Sequence, residues 1–173
     1  MLKNFLPFEK LVYRSTLTKE ELTAHLENEI EAQKAFGFGA RRHTYSKPYI
    51  GKVRDNRFEI QRAISYRNSF SPIIKGDIKN DINGCKINVR MNLEAFVQAF
   101  MIVWLGGVSL ACIAALYKII FDNDLESDAG FFIFIPFLML VVGIVMVSLG
   151  FKVESKKSIQ DLEEILKAKI VQS

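Results

Sequence analysis

The sequence is poor in the residues from which reactive sites are usually built. Two cysteines, Cys85 and Cys112, and two histidines, His25 and His43, stand in 173 residues. Cys85 follows a hairpin glycine and Cys112 falls inside an apolar run, so a disulfide between them is excluded on geometry and both are expected reduced. Neither histidine has Cys, His or carboxylate partners at ligand spacing, which removes the zinc patterns. A phosphate-binding glycine loop, a G-x-S-x-G elbow, a zinc-protease helix and an internal repeat are missing too. No catalytic residue, metal, cofactor or nucleic-acid partner is expected, and the chain does not read as an enzyme.

Charge is missing as well, in two long stretches. Ala95 to Tyr117 and Ala129 to Phe151 are each 23 residues without Asp, Glu, Lys or Arg. At 1.5 Å per residue each makes a helix of about 35 Å, enough to cross a hydrocarbon core of about 30 Å. Neither run is near the N-terminus, where a cleaved signal would be. The expected organisation is a cytoplasmic α+β domain over 1–94, a transmembrane helical hairpin over 95–151 with spans at about 95–117 and 129–151, and a cytoplasmic amphipathic helix over 152–173.

Orientation follows from where the cations stand. Lys86 and Arg90 precede the first run and Lys152, Lys156 and Lys157 follow the second, whereas the connecting loop offers only Lys118. Cytoplasmic flanks carry the excess of Lys and Arg, so both ends are expected inside, in a bacterial cytoplasmic membrane. Asp122, Asp124, Glu126 and Asp128 of the loop then lie outside, hydrated at no cost. Their alternation suggests Ca2+ ligands, but the glycine and distal glutamate of an EF-hand loop are missing.

Small residues give each run a narrow face. Gly107, Ala111 and Ala115 recur every fourth residue in the first, and Gly143 and Gly150 are seven apart in the second, a pattern that suits close helix packing within the hairpin or between two chains. Pro136 is expected to kink the second run. Gln98 and Ser109 are the polar side chains of the first run, and neither is ionisable, which argues against an ion path through one chain.

The 94 residues before the first run hold the candidate domain. Phe8 to Arg14 suits a strand. Thr18 and Glu21 form a capping box with Leu17 and Leu22 as a hydrophobic staple, and Leu22, Leu26 and Ile30 mark the helix that follows, ending at Gly37 or Gly39. After Pro48 the period becomes two. A hairpin turning at Asp55-Asn56 places Val53 opposite Phe58 and Lys52 opposite Glu59. A second, turning at Asn83-Gly84, places Ile78 opposite Val89, Ile74 opposite Leu93, Asp77 opposite Arg90 and Asp81 opposite Lys86. Four strands in meander order with one covering helix make a small α+β domain, its last strand running almost directly into the first span. In 152–173, Ile159, Leu162, Ile165, Leu166 and Ile170 at helical spacing, with Ser158 as N-cap, predict a helix packed on the sheet.

Tyr66, Arg67 and Asn68, in "SYRNSFSP", put hydrogen-bonding groups at the junction of the hairpins, either as a partner contact or as a bend plugged by Phe70. Arg41 and Arg42 in "GFGARR" suit a partner or lipid phosphate, or a solvated turn. Taken together, "YIGKV", "RNSFSPIIKGDI" and "NGCKINVRMNL" followed by two apolar runs resemble small, mostly uncharacterised bacterial two-span membrane proteins with a cytoplasmic β-rich domain. That resemblance implies no activity.

Three functions suit these features. The first is a membrane-anchored, non-catalytic interaction module that binds a protein partner or a second copy. Another is a sensor of anionic lipid using Arg41, Arg42, Lys47, Arg54, Arg57, Arg62 and Arg67. The third is a subunit of a pore or transport complex.

Overall fold

A computed structural model of the chain describes residues 7–32, 45–64, 66, 68–121 and 132–172. Strand β1 (Phe8–Ser15) leads to helix α1 (Lys19–Glu29) and a short strand β2 (Ile30–Ala32). Strands β3 (Tyr49–Arg54), β4 (Arg57–Arg62), β5 (Ile73–Asp81) and β6 (Gly84–Asn92) follow, then helix α2 (Ala95–Phe121). A single 3-10 turn (Phe132–Phe134), helix α3 (Ile135–Ile165) and strand β7 (Ala168–Gln172) complete the order. The chain divides into two compact units, one made of Met1–Leu93 with Gly150–Ser173 and the other of Glu94–Leu149.

The first unit is an α+β domain on a seven-stranded sheet in the order β2-β3-β4-β5-β6-β1-β7. The expected meander is its centre, β3 to β6, with every neighbour antiparallel. The strand expected at Phe8 to Arg14 is β1, which pairs with β6; the unexpected additions are β7 beside β1 and β2, which pairs parallel with β3 on the other side.

One sheet face is apolar. Leu11, Tyr13, Phe58, Ile60, Ile74, Ile78, Ile87, Val89 and Met91 are buried there, each such side chain contributing about 1.5–3 kcal/mol. Helix α1 covers part of this face through Leu22 and Leu26. Its capping box is formed as expected, with the Glu21 amide donating to Thr18 Oγ1 and the Thr18 amide donating to Glu21 Oε2. That bonding holds the exposed Glu21 carboxyl below its ordinary value. The helix does not run to Gly37 or Gly39, which lie outside the described residues. It ends at Glu29 because Ile30 turns extended and enters β2.

The first hairpin has the predicted register, Val53 opposite Phe58 and Lys52 opposite Glu59, with Asp55 taking a positive φ of 49° at the turn. The second is two residues out of its predicted register. Ile78 pairs with Ile87, Ile74 with Met91, Asp77 with Asn88 and Asp81 with Gly84, so the turn is Ile82-Asn83. A turn centred on Asn83-Gly84 needs positive φ at both residues, and only Gly84 adopts it, at 123°. Gly84 is instead required by β1: a Cβ there would lie 2.2 Å from the Ser15 carbonyl oxygen. Because the slip is two residues and not one, every side chain keeps its face.

The C-terminal segment is corrected more deeply. It is not a separate helix capped by Ser158. Helix α3 runs unbroken from Ile135 to Ile165, and Ser158 is buried in its interior. Ile170 belongs to β7, entered through Lys167 at φ 45°, which lies on β1 with Ala168 opposite Ser15 and Lys169 opposite Arg14. Phe151, Glu154, Ser155, Ser158 and Leu162 form the buried stripe of the helix, continued by Leu166 just past its end. Contacts to β1 and β6 come from the Tyr13 hydroxyl, donating to the Ile159 carbonyl at 3.4 Å, and from Ser155 Oγ on Met91 Sδ at 3.5 Å.

In the second unit, α2 and the first half of α3 are long and apolar enough to cross a membrane, and only 17% of each most apolar window is buried. Core helices of a soluble protein would be mostly covered. Pro136 does not kink the helix: it stands in the first turn of α3, where its missing N–H has no intrahelical partner to lose. The acidic stretch from Asp122 to Asp128 lies outside the described residues.

Candidate functional site

Two features of the sheet unit gather charged and hydrogen-bonding groups, one buried and one exposed. The buried one centres on Glu154, a fully covered carboxylate on α3. It accepts from the Tyr66 hydroxyl and faces Arg62 Nη1 at 3.4 Å and Lys157 Nζ at 3.7 Å. Arg62 sits at the end of β4, and its Nε reaches Asp161 Oδ2 at 3.3 Å, about two turns farther along α3. Tyr49, opposite Arg62 in the β3–β4 pair, donates to the same Asp161 oxygen at 3.2 Å.

A buried carboxylate survives when its lone pairs are occupied by donors and a cation stands beside it, and Glu154 meets both conditions. The hydrogen bond to Glu154 raises Tyr66 above its ordinary value, since ionising the donor would set two anions together. Burial raises Tyr49, and Asp161 adds to the effect; burial likewise raises Tyr13, helped by Glu163. Beside the cluster is an open groove of about 520 Å³, lined by His25, Glu29, Pro48, Tyr49, Arg62, Asp161, Glu164, Ile165 and Lys167. Its cations are matched by neighbouring acids, so it presents no field of one sign.

The segment before β5 joins the same assembly. Asn68 Nδ2 donates to the Gly150 carbonyl at 3.1 Å, while Asn68 Oδ1 accepts from the Phe70 amide at 3.0 Å. Phe70 lies against Gly150, where a Cβ would come within 2.8 Å of its ring. Tyr66, Asn68 and Phe70 thus hold one turn of α3, from Gly150 to Glu154. Of the residues singled out in the sequence, Tyr66 and Asn68 are engaged within the chain, though the Tyr66 ring stays half exposed. Arg41, Arg42 and Arg67 lie outside the described residues.

The glycines divide differently from expectation. Gly143 is a packing position within the hairpin, because a Cβ there would lie 2.3 Å from the Trp104 ring. Gly150 packs on Phe70. Gly107 and Ala111 are exposed and Ala115 is partly so, and a Cβ on Gly107 would meet nothing within 4 Å. The strip from Gly107 to Ala115 is therefore not where α3 meets α2 inside one chain. Trp104 and Leu105 make that contact, and side-chain size, not spacing alone, decides which face is used.

The exposed feature is the other face of the sheet. Strand pairing sets Lys75, Arg90 and Lys10 side by side on β5, β6 and β1. Four residues along the strands, Lys79, Lys86, Arg14 and Lys169 form a second row across β5, β6, β1 and β7. Acids offset part of this: Glu59 meets Lys75 at 3.2 Å, Asp81 meets Arg14 at 2.8 Å, and Asp77 meets Lys79 and Arg57 at 3.6 Å. Lys10, Lys86, Arg90 and Lys169 have no acidic partner among the described residues. Toward β3 the face opens into a hollow of about 770 Å³, bordered by Lys52, Arg54, Arg57 and Lys75.

Sequence reasoning missed these rows because a β5–β6 register read two residues out set Asp77 against Arg90 and Asp81 against Lys86, and because the rows need β1 and β7 in place. Lys10, Arg14 and Lys169 are far from β6 in sequence. Of the basic residues considered for lipid contact, Arg62 is consumed by Glu154 and Asp161, Lys47 donates to the Asn28 carbonyl, and Arg54 and Arg57 stand at the β3–β4 turn. No protein-family model, no curated protein and no solved structure matches this chain.

Proposed function

We propose that this protein is a membrane-anchored, non-catalytic interaction module, in which α2 and the first half of α3 form the anchor and the sheet unit is presented to a partner on the cytoplasmic side. The observation that carries the reading is the continuity of α3. One helix begins as an apolar segment and ends as part of the sheet unit's core, with no linker where the character changes. At the other connection only Leu93 and Glu94 separate β6 from α2. The platform is thus joined to its anchor at both connections without a linker.

The sheet adds support from topology. Strand β1 pairs with β6, which precedes both apolar helices, and with β7, which follows both. Chain on either side of the hairpin must then share one side of the membrane, as Lys and Arg flanking the hairpin also favour. The Glu154 and Asp161 carboxylates of the covered face are occupied by Arg62, Tyr66 and Tyr49, which leaves the cationic face for contact.

Membrane anchorage is checked by resistance to alkaline carbonate extraction, and sidedness by cysteine labelling on intact cells. Ser155 makes a poor reporter because it is buried against Met91; Lys156 is exposed. With a membrane-impermeant thiol reagent, Ser127→Cys should label on intact cells and Lys156→Cys only after permeabilisation. Extraction by carbonate would overturn the anchor, and the reverse labelling pattern would overturn the orientation.

A further inference from the structure

We propose that the open face of the sheet is a docking surface for an acidic protein segment, read by the two rows Lys75-Arg90-Lys10 and Lys79-Lys86-Arg14-Lys169. This rests on the reading of the protein as an interaction module and names the chemistry of its partner. Like charges placed directly opposite on neighbouring strands destabilise a sheet. Here the arrangement occurs twice, and among the described residues Lys86, Arg90, Lys10 and Lys169 are left without an acid. A fold that keeps such strain on an exposed face has it relieved when anions arrive.

The spacing suits a protein ligand. Neighbouring strands are about 4.8 Å apart, close to the 5.4 Å pitch of an α-helix, so Glu or Asp at successive turns of a partner helix can meet one cation per strand. The rows stand four residues apart, about 13 Å. Between them lies a less charged band in which Val12, Asn88 and Asp77 are partly exposed. Asp77 in this band is engaged by Arg57 and Lys79, so the band is less charged than its borders, as a protein interface is with a less polar centre and a charged rim. Single-stranded nucleic acid would call for several aromatic platforms, and among the described residues this face offers only Phe8, partly exposed at the start of β1. Lipid headgroups respond to net charge near the bilayer and need neither the rows nor the band.

The test uses the full chain in nanodiscs of neutral lipid. The probe is a fluorescent 20-residue helical peptide with Glu at every fourth position, set against a 20-nucleotide single-stranded DNA and against nanodiscs containing anionic lipid without peptide. The peptide should bind, weaken as salt rises, and lose about tenfold or more in affinity with the double variant Lys86→Gln/Arg90→Gln. Lys156→Gln, on α3, should bind like the parent chain. The double variant should melt no lower than the parent, since it relieves like-charge contact. Undiminished peptide binding by the double variant, or a lowered melting temperature, would overturn the proposal. Tighter binding of the DNA would assign the face to nucleic acid instead. Protection of Lys86 and Arg90 by anionic lipid alone would assign it to the membrane. None of these results bears on carbonate extraction or on labelling of Ser127→Cys, so the docking proposal can fail while the anchored module stands.

Discussion

The two halves of α3 obey opposite rules. Leu149 is 60% exposed, while Glu154, five residues on, is fully covered. In the first half Leu138, Val141, Val145 and Met146 turn outward; in the second, a carboxylate and two serines turn inward. The backbone hydrogen bonds are the same throughout, so the difference lies in what surrounds each half. An apolar surface turned outward suits lipid, and a polar one turned inward is tolerated only where partners have been built for it. For the carboxylate those partners are Arg62 and Tyr66, and for Ser155 it is Met91. The lesson is that a helix does not change its physics where it leaves an apolar run; its neighbours do.

The sharpest way to break this comparison is to remove one of those neighbours. Arg62→Leu strips the covered carboxylate of its nearest cation and Asp161 of its partner, and should cost about 3–5 kcal/mol of stability, read as a lowered denaturation midpoint of the full chain in detergent. A loss below about 1 kcal/mol would mean that solvent reaches Glu154 and that the second half of α3 is less enclosed than its contacts indicate.

A pair of glycine variants sharpens the contrast along the apolar segments. Gly150→Val places a side chain against Phe70 and should cost about 1–3 kcal/mol. Gly107→Val points into open space and should leave the midpoint within about 0.5 kcal/mol. A drop in particle mass with Gly107→Val, at unchanged stability, would show that a second copy covers the strip.

The sheet unit's other helix provides a smaller effect. Thr18→Ala deletes one side of the α1 capping box and should cost about 1 kcal/mol, with nothing lost in membrane association.

The smallest expected change is in alkali. The Tyr66 hydroxyl is held protonated by its bond to Glu154, so its contribution is complete below the ordinary tyrosine value of 10.0 and is lost as pH rises through its raised value. Tyr66→Phe should flatten the fall in stability above pH 10, and Tyr13 and Tyr49, raised by burial, should supply the remainder. An unchanged profile would show that the Tyr66–Glu154 bond does not persist in solution.

Local chemistry was legible in the sequence. The Thr18/Glu21 box, the Asp55-Asn56 hairpin and the alternation of β5 and β6 each depend on residues a few positions apart, and each formed with its faces as read. What escaped reading depends on distant chain. The turn at Ile82-Asn83 is set by the approach of Ser15 to Gly84. The strand at Ala168 is set by the free edge of β1, which overrides a helical spacing that is satisfied only as far as Leu166. The site was legible in part: Tyr66 and Asn68 were singled out, but Glu154 stood unremarked among the cations that follow the second apolar run and ahead of the expected helix start at Ser158.

The position of β1 between β6 and β7 bears on how the molecule is made. Asn92 and Ala168 are 76 positions apart. At about 5–20 residues per second the ribosome needs roughly 4–15 s to pass from one to the other. Throughout that interval β1 can pair with β6 on one side while its other edge waits uncovered, offering backbone groups to any passing strand. The wait ends only after both apolar helices have been synthesised. Closing the sheet is therefore the last step of building this unit, and a nascent chain that has not reached Ala168 displays an unfinished edge.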